Sequence, residues 1–229
     1  MKKSPKCCII IILLKKGGSI VIKVSFCSLS LSTEETEALI SSLPFGDTEK
    51  QRLRSMRNRS AHLESLSALC ALGALISPSE HLTISRHAGG KPFFVSYPLF
   101  FSLSHADGLG IAVLSSSEVG IDLEWTDAPR NISAISRRFF SPSELRQIDS
   151  AENASFEFFS IWTKKEAYAK FTGEGLASVC SLPDVSSKKF KQFILASGTR
   201  QAVISICYET DGEEISFCGL PEGYSLCEI

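Results

Sequence analysis

Glu118-Val119-Gly120-Ile121-Asp122-Leu123-Glu124-Trp125 is the stretch from which the rest of the chain can be read. Its residues alternate with a period of two, the signature of a strand. Side chains two apart share one face, so Ile121 and Leu123 enter a core while Asp122 and Glu124 stand together on the other side. Two adjacent carboxylates repel unless something positive lies between them. A hard divalent cation such as Mg²⁺ suits that place, because it takes oxygen ligands and keeps waters or substrate phosphates as well. Acid pairs on an exposed strand face are common and need no metal, so on spacing alone the metal reading is the lesser of the two.

Downstream, residues 131–150 read as helix in pieces, with Pro142 in the first turn of the second piece. Phe156 to Phe171 has the strongest helical pattern and stops at Gly173. On it Trp162, Glu166 and Lys170 lie four apart along one stripe, with Lys165 and Ala169 beside it. Taken alone, Glu166 and Lys170 are a surface pair contributing a few tenths of a kcal/mol. The chain then returns to strand, Phe193 to Tyr208, with Asp211-Gly212 as a hairpin candidate.

Upstream, Phe100–Leu103 and Gly110–Leu114 read as strands around a polar loop, Ser104-His105-Ala106-Asp107-Gly108, and Gly89-Gly90-Lys91-Pro92 as a turn. Thr48 to Ile76 is expected as one long helix, opening with Lys50, Arg52, Arg54, Arg57 and Arg59. Such a run is in general a solvated helix face. A short helix over Thr33–Ser42, capped by Ser32 or Thr33, and a strand over Ile20–Ser28 complete the pattern. Strands that do not alternate strictly with crossover helices make this an α+β chain.

With 229 residues, one core or two half-size lobes can form. Lys and Arg number 24 against 25 Asp and Glu, a net charge of -1, which argues against nucleic acid as a partner. The eight cysteines have neither CxxC pairs nor histidines at zinc spacing, and are expected as reduced thiols in a cytoplasmic protein. The apolar run Cys7–Leu14 is too short to span a membrane and is stopped by Lys15-Lys16-Gly17-Gly18, with no small-residue cleavage site. That Lys-Lys-Gly-Gly reads like a translated ribosome-binding site ahead of a start at Val21, so residues 1–20 are expected to be an over-extended reading of the gene.

Several blocks now combine. They are Gly90-Lys91-Pro92, Phe101-Ser102-Leu103-Ser104-His105, Val119 through Glu124, and Arg138-Phe139-Phe140-Ser141-Pro142-Ser143-Glu144. Trp162-Thr163-Lys164-Lys165-Glu166-Ala167-Tyr168-Ala169-Lys170 and Gly173-Glu174-Gly175-Leu176 follow. In order and spacing, over roughly residues 45 to 180, this resembles the 4'-phosphopantetheinyl transferases, in their long single-chain form. The resemblance implies a pseudo-dimeric α+β fold of two similar lobes, residues 21–115 and 116–229, with the active site between them. It implies Asp122, Glu124 and Glu166 as ligands of a Mg²⁺ that bridges to the pyrophosphate of coenzyme A. His105, with Ser104 beside it, would meet a phosphate. Lys91, Lys165 and Lys170 would bring positive charge, and Glu166 and Lys170 would act in catalysis. Where the family helix binds the 3'-phosphate this chain has Leu63 and Glu64, which cannot; Arg59, Ser60 and His62 are the nearest replacements, and Arg59 is the choice. Glu144 needs no role beyond capping its helix.

The function so implied is Mg²⁺-dependent transfer of 4'-phosphopantetheine from coenzyme A to a serine of an apo acyl or peptidyl carrier protein, by a monomer with no membrane partner. A non-catalytic binding module would be expected to have lost Asp122, Glu166 or Lys170, and all three are present. A Mg²⁺-dependent phosphohydrolase could use the same acids but leaves the Lys91 and His105 blocks unexplained.

Overall fold

Helix α1 (Thr33–Ser42) starts where the sequence provides a capping box, with Ser32 Oγ accepting from Glu35 N and the Glu35 side chain accepting from Ser32 N. These details come from a computed structural model that describes residues 21–77, 79–175, 189–209 and 214–229. The expected long helix divides into α2 (Asp47–Ser55) and α3 (Arg59–Gly73). Asn58 causes the break, because its side chain accepts from Ala61 N and caps a new helix rather than continuing the old one. Helices α4 (Ile132–Phe139) and α5 (Pro142–Ser150) follow, the latter with a second capping box between Ser141 and Glu144. Helix α6 (Ala154–Thr172) ends at Gly173, whose φ of 76° is the left-handed conformation that glycine adopts at no steric cost.

Two four-stranded sheets carry these helices. In the first the order is β4 (Phe100–Ala106), β5 (Leu109–Ser115), β1 (Val21–Ser28), β9 (Glu214–Cys218); in the second it is β10 (Tyr224–Glu228), β7 (Lys189–Ser197), β8 (Arg200–Tyr208), β6 (Val119–Trp125). A two-stranded hairpin, β2 (Ile84–Arg86) and β3 (Pro92–Phe94), lies apart. Two expectations change here. Ser104 and His105 belong to β4 rather than to a loop, the turn being confined to Asp107-Gly108. The strands flanking Asp211-Gly212 do not pair with each other, for β9 runs parallel to β1 in the first sheet; that dipeptide itself lies outside the described residues, as do residues 1–20 and Leu176.

Each sheet presses one face on a helix, α3 on the first and α6 on the second, and the inner faces share a core of Ile22, Val24, Ile111, Val113, Ile121, Leu123, Ile204 and Ile206. Both crossings are close enough to demand glycine. A Cβ on Gly110 would sit 2.2 Å from Ala68 N, and one on Gly120 would sit 2.0 Å from Ala167 O. The facing edges of the sheets, β4 and β6, meet through side chains: Ser102 Oγ accepts from Ile121 N at 3.2 Å and Ser104 Oγ from Leu123 N at 3.3 Å. Serine hydroxyls thus satisfy edge N–H groups that a neighbouring strand would otherwise satisfy. This seam brings Ser104 and His105 beside Asp122 and Glu124.

Candidate functional site

Strand period puts Asp122 and Glu124 on the α6 side of β6, and both are buried. Asp122 Oδ1 accepts from Ser104 Oγ at 2.8 Å and from Lys170 Nζ at 2.7 Å, and Lys170 also reaches Ser104 Oγ at 3.0 Å. Asp122 Oδ2 is buried and has no hydrogen-bond partner among the described residues. Glu124 Oε1 accepts from Arg130 Nη2 at 2.6 Å. Glu166 faces these acids from α6, in the same cleft as Asp122, Glu124, His105 and Lys170.

The three carboxylates are under-compensated. Burial, then Asp122, raises the Glu124 carboxyl above its ordinary range, against the pull of Arg130. Burial, then Asp122, pushes Glu166 up to about 7, against Lys170. Lys170 and Arg130 therefore do not match the negative charge assembled here. Among the described residues no three His, Cys, Asp or Glu side chains converge as a finished metal cage. The donor set nevertheless fits Mg²⁺, which draws most of its ligands from water and phosphate. All the donors are oxygen, and one buried carboxylate oxygen lacks a hydrogen-bond partner among the described residues.

The remaining expected residues divide. His105 is half-exposed at the cleft, its Nδ1 3.4 Å from Glu64 Oε2, and burial lowers the imidazole below its usual range while Glu64 opposes that. Lys91 reaches a neighbouring cleft with Lys170 and Glu166, but donates to Glu118 Oε2 at 2.6 Å and to the Phe171 carbonyl at 2.9 Å, where it also caps the α6 dipole. Ser104 has its hydroxyl committed to Asp122, Lys170 and Leu123, so it organises the acids and has nothing left for a phosphate.

Two expectations are corrected by placement. Lys165, one residue from Glu166, is turned off the cleft: its side chain is 1% exposed, 2.9 Å from Glu144 Oε1 and 5.6 Å from the centre of the Phe140 ring. A step of one residue turns a helical side chain by about 100°, which carries position 165 off the Trp162-Glu166-Lys170 stripe. The separation is that of an ion pair, yet neither atom makes a well-directed hydrogen bond, and we take the contact as mainly electrostatic. Arg59 points elsewhere, donating to the Leu31 carbonyl at 2.7 Å.

Besides Lys170, the acid cleft is lined by two arginines, Arg52 and Arg86. Both are held by the buried Glu49 Oε1, at 2.8 and 3.0 Å. Two guanidinium groups on one carboxylate leave a surplus positive charge opposite the acids. Arg52 was visible in the basic run; Arg86, on β2, had no signal beyond standing five residues before Lys91.

Residues 118–225 match the 4'-phosphopantetheinyl transferase superfamily. The chain is 37% identical over 97 residues to the 4'-phosphopantetheinyl transferase HetI of a Nostoc species, covering 39% of this chain and 41% of that one. To the 4'-phosphopantetheinyl transferase psf-1 of Bacillus pumilus it is 36% identical over 103 residues, covering 44% and 43%. To the 4'-phosphopantetheinyl transferase ffp of Bacillus subtilis it is 30% identical over 155 residues, covering 64% and 67%. The aligned segments thus span less than half the length of the first two relatives and two thirds of the third.

Proposed function

From the premise that this chain belongs to the 4'-phosphopantetheinyl transferase superfamily, we propose that it transfers the 4'-phosphopantetheine of coenzyme A to a serine of an apo acyl or peptidyl carrier protein, with Mg²⁺, releasing adenosine 3',5'-bisphosphate. The observation that carries this is the meeting of Asp122, Glu124 and Glu166 beside Lys170, with Arg52 and Arg86 across the same cleft. Coenzyme A is polyanionic, so bases approach it directly and acids only through a cation. We read the two sheet-and-helix units as similar lobes, 21–115 and 116–229 apart from β9, and the chain as a monomer, since one chain supplies both walls of the cleft.

In this reading Asp122, Glu124 and Glu166 hold Mg²⁺. Bound there, the ion would neutralise charge on the pyrophosphate oxygens. The chain's own groups do the rest. Arg52, Arg86 and the half-exposed His105 grip phosphate and fix the nucleotide end. The carrier serine oxygen attacks the pantetheine-linked phosphorus in line, and the bond from that phosphorus to the bridging oxygen breaks. Glu166, directly or through a water, takes the serine proton, and Lys170 Nζ stabilises the charge appearing on the leaving phosphate.

The test is incubation with coenzyme A, Mg²⁺ and several apo carrier proteins, read by intact mass. Gain of one phosphopantetheine group on a carrier, lost with EDTA, is expected. Coenzyme A cleaved at the same rate without a carrier would instead indicate a phosphohydrolase, and coenzyme A bound but never consumed would indicate a binding module.

A further inference from the structure

We propose that Arg200 is a positioning residue for coenzyme A binding: it clamps the β4–β5 turn, and with it His105, onto the second sheet across the seam. This rests on the reading of His105 as a phosphate contact. Arg200 opens β8, after the last of the sequence blocks quoted for the family resemblance. Its Nη1 donates to Asp107 Oδ2 at 2.7 Å, while Nε and Nη2 fork onto Asp127 Oδ2 and Oδ1 at 2.8 and 3.0 Å. Its guanidinium carbon lies 4.3 Å from the centre of the Trp125 ring. Trp125 in turn donates through Nε1 to the Ala106 carbonyl at 3.2 Å. The two residues that follow His105 are therefore both fastened to the second sheet, Ala106 by Trp125 and Asp107 by Arg200.

Asp107 has φ +47° and Gly108 φ +80°, left-handed at both central positions of a two-residue hairpin. Asp-Gly is a favoured pair for such a turn, so the hairpin forms from its own sequence, and what Arg200 adds is where the turn sits against the second sheet. Arg200 holds the turn from the opposite sheet, and it lines the same groove of about 470 Å³ as His105, Glu124 and Arg130. A lysine would keep the charge but lose the fork and the stacking. Exposed ion pairs contribute little to global stability, so losing the clamp should loosen the turn without unfolding the protein.

The experiment combines calorimetric coenzyme A binding, thermal melts and hydrogen exchange on the full chain for Arg200→Ala, Arg200→Lys, His105→Ala and the Arg200→Ala/His105→Ala double variant. Arg200→Ala should weaken coenzyme A binding about 3- to 10-fold with nearly unchanged Tm and faster exchange over residues 104–110, and Arg200→Lys should recover only part of the affinity. On top of His105→Ala, loss of Arg200 should add less than about 2-fold, because residues acting through one another are not additive. Wild-type exchange over 104–110 in Arg200→Ala overturns the clamp. So does a full, independent Arg200→Ala loss in the double variant. If the wild-type chain itself fails to bind coenzyme A, the reading of the site has failed, and hydrogen exchange alone decides whether the clamp exists.

Discussion

Lys165 and Glu166 are successive residues of one helix and stand in opposite electrostatic situations. Lys165 is sealed against Glu144 beneath the aromatic cluster of α4, α5 and α6, one cation to one anion. Glu166 looks into a cleft where it crowds Asp122 and Glu124, with acids in excess and Glu166 raised to about 7. A buried charge that is matched one to one holds the fold together. A partly buried carboxylate crowded by its own kind suits a ligand from outside the chain. The helix is the boundary between these two uses.

That contrast can be broken from the sealed side. Lys165→Ala should cost about 3–5 kcal/mol in urea unfolding, because it strands a buried carboxylate. Lys165→Met combined with Glu144→Gln should recover most of that loss, since glutamine can still accept from Ser141 N in the capping box, where the Glu144 contact is 2.6 Å. A double variant as unstable as Lys165→Ala would show that the pair matters for more than mutual neutralisation.

From the open side the effect belongs to activity. Asp122→Asn and Glu166→Ala should each lower turnover at saturating Mg²⁺ by at least about 100-fold, near 2.7 kcal/mol of barrier, with no loss of stability. Retention of a tenth or more of wild-type turnover would sink their assignment as ligands.

Stability should even move the other way. The Glu166 carboxyl rises from 4.5 to about 7 on folding, so the folded chain holds that proton more tightly than the unfolded one. The resulting penalty is absent below about 4.5, grows between those values and is complete above about 7. Glu166→Gln without metal should therefore gain roughly 1–3 kcal/mol over wild type at pH 8 and little at pH 4. An equal difference at both pH values would remove the electrostatic explanation.

The smallest effects sharpen the contrast on the basic wall. Arg52→Ala and Arg86→Ala should raise the KM for coenzyme A about 10-fold, equivalent to ~1.4 kcal/mol, and much less for dephospho-coenzyme A. Arg59→Glu should change stability by less than ~0.5 kcal/mol and leave both KM values alone. Equal sensitivity of both substrates at Arg52 and Arg86 would take the 3'-phosphate away from them.

Much of the site was legible from local period. Alternation along β6 placed Asp122 and Glu124 together, the four-residue step along α6 joined Glu166 to Lys170, and Pro142 with Glu144 announced α5. The break at Met56-Arg57-Asn58 was missed because hydrophobic spacing runs on through it, and only the cap chemistry of Asn58 marks the restart. Ser104 and His105 read as loop for the opposite reason: Ser104 serves an edge-to-edge seam and His105 faces Glu64, so this polar pair lacks the alternation of a half-buried strand.

The sequence by itself determined which side chains share a strand face or a helix stripe, because backbone geometry repeats every few residues whatever surrounds it. Only the tertiary structure decided which charge meets which. It sent Lys165 to Glu144 and Arg86 to Glu49, and it brought Arg200 to Asp107 across 93 positions of chain. Those pairings follow from how two sheet edges abut and how closely Gly110 and Gly120 let helices approach, and packing of that kind has no period along the chain.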